Sequence, residues 1–156
     1  MKRFIYMWIV LLLSVGLQGE KLAELPEIAK PDLMEIANGK LYLMEGSVVF
    51  QYQLSDLKLL RRFCKKGEGP GELKLNPGVP NYIVITPKEI LAVSMDKAIA
   101  FSTDGQVLKE MKIPMFTNYL HPRTQGFIGM RFNLTQKPIV QVKTMDKEMK
   151  DQKVFY

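Results

Sequence analysis

The fold is decided by residues 82–113, which read YIVITPKEILAVSMDKAIAFSTDGQVLKEMKI. Short runs of β-branched and aliphatic residues alternate in this stretch with the turn residues Thr86-Pro87-Lys88, Met95-Asp96 and Thr103-Asp104-Gly105. Runs of this length, bounded by such residues, are typical of β-strands joined by tight turns. We therefore predict four antiparallel strands, over residues 82–85, 89–93, 97–102 and 106–113.

The same pattern occurs on both sides of this stretch. On the N-terminal side it predicts strands over residues 28–36, 40–44, 47–54 and 57–63, with a hairpin at Asn38-Gly39, a pair that favours the two positive φ angles of a tight turn. On the C-terminal side a third unit starts after Tyr119, with predicted strands over residues 126–132, 139–143 and 153–156. Its turn is predicted at Thr144-Met145-Asp146.

The three units recur at similar spacing. Asp56 and Asp104 are 48 residues apart, Leu41 and Ile90 are 49 apart, and Asp104 and Asp146 are 42 apart. Four-stranded units at about 40–50 residues are typical of propeller blades, whose two faces are buried by neighbouring blades. We predict an all-β, partial β-propeller with blades of four antiparallel strands at 28–63, 80–113 and 119–156. An ordinary sandwich or barrel is the alternative.

The first nineteen residues have the pattern of a secretory signal helix. Lys2 and Arg3 precede an uncharged apolar run over 4–15, and small residues follow near Gly16 and Gly19. The run is shorter than the roughly 20 apolar residues of a membrane span. We expect cleavage between Leu17 and Lys21 and export to the periplasm or the extracellular space. An uncleaved signal that anchors the protein is the alternative, and this segment is the only membrane contact expected.

A glycine-rich motif follows the first unit, at Gly67-Glu68-Gly69-Pro70-Gly71-Glu72. The glycines permit backbone angles that other residues rarely adopt, and Pro70 fixes one φ between them. The Glu72 carboxylate is able to accept hydrogen bonds from backbone N–H groups of so tight a loop. The Lys-Ser/Thr ending of a phosphate-binding loop is missing. We predict a structural inter-blade loop made by Gly67, Gly69, Pro70, Gly71 and Glu72.

This motif resembles one found in exported bacterial six-bladed β-propellers related to the NHL-repeat class, where it links one blade to the next. Leu73 stands here where that family usually has Phe, and Cys64 where Gly is frequent. The resemblance extends from about Pro31 to the end of the sequence. Six blades would need about 270 residues, so we expect a propeller truncated to about three blades. Its two open ends should then expose apolar surface and self-associate.

The sequence predicts neither a catalytic site nor a metal or cofactor site. His121 has no Ser or Cys partner in a nucleophile motif, Cys64 is the single cysteine, and Asp96, Asp104 and Asp146 are expected in turns. The net charge of +6 comes from dispersed basic residues without interleaved aromatics, which argues against nucleic acid as a partner.

These features predict a non-catalytic binding or scaffold module of the bacterial cell envelope. Its partner is a ligand or protein that no motif identifies. Two alternatives stay open: a fragment of a propeller enzyme, since some propellers of the resembled family are lactonases or lyases, and a truncated product without independent function.

Overall fold

The computed structural model describes residues 23–114, 117–132, 135, 137 and 140–155. The predicted signal over residues 1–19 and the terminal Tyr156 lie outside these ranges. All regular structure in the described ranges is β-strand, as predicted, and none of it is a helix able to cross a membrane.

The first sheet has four antiparallel strands in chain order: β1 (Leu33–Ala37), β2 (Lys40–Glu45), β3 (Val48–Gln53) and β4 (Leu59–Phe63). Asn38 and Gly39 join β1 to β2 with φ angles of 52° and 69°, as expected for the predicted hairpin. The first strand begins at Leu33 rather than at Ile28, so the prediction was too long at its N-terminal end.

Two short parallel strands follow, β5 (Lys65–Lys66) and β6 (Glu72–Leu73). They enclose residues 67–71 and lead into the second sheet. This sheet contains β7 (Tyr82–Ile85), β8 (Glu89–Val93), β9 (Lys97–Ser102) and β10 (Val107–Lys112), again antiparallel and in chain order. The four strands match the predicted ones to within a residue at each end.

The third sheet contains β11 (Thr117–Arg123), β12 (Gly126–Phe132), β13 (Val140–Met145) and β14 (Asp151–Phe155). The sequence did not predict β11, which includes His121 and Pro122. Proline is tolerated in an edge strand, where its missing N–H breaks no ladder. Thr144 and Met145 belong to β13, so the turn predicted there lies instead between Asp146 and Lys150.

The second sheet packs between the other two. One buried cluster joins the first two sheets and contains Ile90, Ala92 and Phe101 of the second. Within it, the ring centroids of Phe63 and Phe101 are 4.9 Å apart. The alternate residues Leu91 and Val93 belong to a second cluster with residues of the third sheet. Successive residues of a strand point to opposite faces, so both faces of the second sheet are buried.

The outer face of the first sheet is partly covered by the segment before β1. Leu41, Leu43, Phe50 and Tyr52 are buried there against a group that includes Leu25 and Ile28. The Tyr52 hydroxyl donates to the Glu27 carboxylate over 3.3 Å, and burial together with Glu27 raises the pKa of Tyr52 to about 12. The cover is incomplete, because Met34 and Ile36 pair with Leu43 and Leu41 on this face and are 64% and 57% exposed. Apolar surface therefore stays exposed at this end, and self-association stays a prediction.

Candidate functional site

The predicted glycine loop (residues 67–72) is closed by its own hydrogen bonds. Gly69 N donates to Glu72 Oε2 over 3.1 Å, which is the backbone contact expected of Glu72. Glu72 N donates back to the Gly69 carbonyl over 3.2 Å. The Glu72 side chain occupies the space that a Cβ on Gly67 would need, and Pro70 is exposed at the tip.

Two charged residues of the second sheet hold this loop in place. Lys97 Nζ, from β9, donates to the Gly69 carbonyl over 3.1 Å. Glu110, from β10, accepts a short hydrogen bond from Gly71 N and pairs with Lys97 over 3.5 Å. Hydrogen bonds to charged groups are stronger than those between neutral groups. The glycine loop therefore connects the end of the first sheet to two strands of the second, and sequence reasoning did not identify either charged partner.

Asn81 is a second contact between these sheets that the sequence reading did not single out. It is buried just before β7, and its Nδ2 donates to the Gly46 carbonyl, to Ser47 Oγ and to the Lys74 carbonyl, each over 3.2–3.3 Å. Gly46 and Ser47 form the β2–β3 turn, and Lys74 follows the glycine loop. One amide group thus connects the start of β7 to two other segments.

We expect Gly71→Val to lower the free energy of unfolding by about 1–3 kcal/mol through backbone strain. Gly71 has a φ of +73°, and an added Cβ would lie 3.3 Å from Val107. Glu68→Ala in the same loop is the control, because its ion pair with Lys74 is exposed and such pairs contribute at most about 1 kcal/mol. Chemical denaturation checks both variants, and equal midpoints for Gly71→Val and wild type would contradict the structural role.

The first strands of the three sheets border a common cleft of about 630 Å³. Asp32 and Glu35 line it from the first sheet, and Tyr119 and His121 from the third. Tyr82, from the second sheet, donates through its hydroxyl to the Thr117 carbonyl over 3.3 Å, and burial raises its pKa. The cleft gathers carboxylates and aromatic side chains from three sheets, which suits hydrogen bonding and stacking with a polar ligand.

The described residues hold no metal-binding group of three or more His, Cys, Asp or Glu side chains. Asp146 Oδ1 accepts from the backbone N–H groups of Glu148 and Lys150, the turn role predicted for it. Asp104 lies in the predicted turn between β9 and β10, and its side chain also pairs with Arg61 over 3.2 Å, which adds a contact between the first two sheets.

Cys64 does not form a nucleophilic pair with His121. The thiol is buried, and burial raises its pKa to about 11, so it stays protonated at neutral pH. The His121 side chain is exposed on β11, at the cleft of the first strands, whereas Cys64 follows β4.

The outer face of the third sheet, the face turned away from the second sheet, carries apolar side chains. Val140, Val142 and Phe155 are 36–42% exposed, and Ile128, Met130 and Phe132 are half-buried. The pairings Met130↔Val142, Phe132↔Val140 and Val142↔Phe155 place these residues on one face. Phe127 and Met145, on the opposite face, are buried against the second sheet.

Comparison with known proteins identifies no relative of the chain, so the candidate sites are interpreted from their geometry alone. The resemblance of the glycine loop to the exported six-bladed propellers stays a prediction. No protein-family model matches the chain, and no curated protein is significantly similar to it.

Proposed function

We propose that the protein is a non-catalytic binding or scaffold module of the bacterial cell envelope, built on consecutive blades of a β-propeller. Three observations support the blades: each sheet has four antiparallel strands in chain order, the second sheet is buried on both faces, and the first strands share a cleft. A radial stack of sheets produces all three. The envelope location rests on the signal pattern of residues 1–19.

The apolar outer face of the third sheet is the observation that carries the scaffold function. Contiguous exposed apolar surface marks interaction sites in soluble proteins. The partner that this face fits is a second copy of the chain. The outer face of the first sheet is partly covered by Leu25 and Ile28, although Met34 and Ile36 on that face stay exposed. The third-sheet faces of the two copies, which the chain itself leaves uncovered, meet across a two-fold axis.

We expect wild-type protein to dimerise in light scattering and Val142→Glu to be monomeric, because the substitution places a charge in the middle of the apolar face. Leu60→Glu is the matched control: Leu60 is 39% exposed, against 36% for Val142, but lies on β4 of the first sheet. It should leave the dimer intact. Monomeric wild-type protein, or equal loss of the dimer in both variants, would overturn self-association through the third sheet.

The non-catalytic part of the proposal has a separate test. Related propeller enzymes hold a divalent metal in ligands gathered from several blades. Purified protein should contain no stoichiometric divalent ion by elemental analysis, and one ion per chain would favour the lactonase- or lyase-like alternative.

A further inference from the structure

A second cleft lies between the second and third sheets and shares no lining residue with the cleft of the first strands. Its volume is about 700 Å³, and it is bordered by the β7–β8 turn, the β11–β12 turn and the turn that follows β13. Pro87, Pro122 and Phe127 contribute apolar surface, and Thr86 and Thr124 contribute hydroxyl groups.

The charges that border this cleft are strongly unbalanced. Four basic side chains line it, against one carboxylate, Glu89. The four are Lys88, Lys109, Arg123 and Lys147. Over the described ranges, none of the four forms an ion pair with a carboxylate. Like charges gathered in a cleft repel one another and produce a positive potential that attracts anions.

The backbone that carries these cations is fixed by local hydrogen bonds. Thr86 Oγ1 accepts from the N–H groups of Lys88 and Glu89 over 3.3 Å and 3.0 Å. Lys109 Nζ reaches across the cleft and donates to the Lys147 carbonyl over 3.4 Å. Arg123 ends β11 and pairs in register with Gly126. The positive charge is therefore held on four segments from two sheets.

We propose that this basic cleft binds a soluble oxyanion that carries several negative charges. One arginine and three lysines supply donors that suit phosphate or carboxylate oxygens, the arginine as a two-pronged donor and the lysines as point charges. A volume of about 700 Å³ lies within the range of small-molecule sites. The two sheets together form the site, because Lys88 and Lys109 belong to one and Arg123 and Lys147 to the other.

Calorimetric titration of the full chain with tripolyphosphate tests the proposal, with citrate as the carboxylate probe and acetate as the monovalent one. We expect one tripolyphosphate site per chain and no measurable binding of acetate. If citrate binds as well, the ligand class includes carboxylates. If citrate does not bind, the ligand class is restricted to phosphates. Lys88→Gln/Arg123→Gln should weaken tripolyphosphate binding by about tenfold or more, since hydrogen bonds to charged groups are lost from both sheets.

The control variant Lys58→Gln/Arg62→Gln removes one lysine and one arginine from exposed positions on the first sheet. It should bind tripolyphosphate as wild type does. Absence of tripolyphosphate binding to wild-type protein would overturn the site. Equal weakening of binding in the two double variants would also overturn it, because binding would then depend only on the overall charge of the protein. Unchanged thermal unfolding of both variants excludes a folding defect, and Lys147→Gln repeats the test if the first variant unfolds.

Discussion

Ile90→Ala and Leu91→Ala are each expected to lower the free energy of unfolding by about 2–5 kcal/mol, the usual range for a large-to-alanine change in a core. These neighbours on β8 point to opposite faces of the second sheet. Ile90 is fully buried in the cluster shared with the first sheet, and Leu91 is fully buried in the cluster shared with the third. A sheet with one solvent-exposed face would show a large effect at only one of them.

Chemical denaturation of the two variants measures this difference directly. Val107→Ala is the control, because Val107 is 51% exposed on β10 and its truncation should change stability by less than about 0.5 kcal/mol. A small effect at either Ile90 or Leu91 would contradict burial of the second sheet on both faces.

Gly126→Ala should be the most destabilising single-methyl addition, by about 2–6 kcal/mol from backbone strain and overpacking together. Gly126 starts β12 with a φ of +124°, and an added Cβ would overlap the backbone carbonyl of Met145 and the backbone of Asp146. Backbone atoms in a paired strand cannot move aside as a flexible side chain can. The hairpin of β11 and β12 would then separate from β13.

Gly39→Ala is the matched control for this substitution. Gly39 also has a positive φ, of +69°, but an added Cβ would meet nothing within 4 Å. Gly39→Ala should lower the free energy of unfolding by about 1–2 kcal/mol, the cost of the left-handed backbone conformation alone. Equal denaturation midpoints for the two variants would show that the third sheet does not pack as described.

The second sheet was predictable from sequence because local signals decide its strands. Thr86-Pro87, Asp96 and Asp104-Gly105 separate four apolar runs, and each signal acts within a few residues. The Glu72 hydrogen bond to the glycine loop was predictable for the same reason. Donor and acceptor are three residues apart.

Features that depend on distant parts of the chain were missed. Pro122 hid β11, because a proline inside an apolar run argues against a strand unless the strand is known to lie at an edge. Ile28 was assigned to the first strand, although it covers that sheet's outer face. Pro122 is compatible with a loop or an edge strand, and Ile28 with a strand or a covering segment. Only the tertiary packing decides which of these each residue belongs to.

The charged contacts were equally hidden. Lys97 and Glu110 hold the glycine loop from 28 and 39 residues away. The basic cleft combines Lys88 and Arg123 from different sheets. In the sequence these residues are dispersed and form no motif.

Stacking of the three sheets, with the second in the middle, is tested most directly by nuclear Overhauser contacts in methyl- and aromatic-labelled protein. We predict contacts between Phe63 and Phe101 across the first interface, and between Leu91 and third-sheet residues across the second. Contacts of the first sheet's buried residues with Phe127 or Met145 would instead mean that the first and third sheets face each other. That result would contradict consecutive blades and favour a closed sandwich.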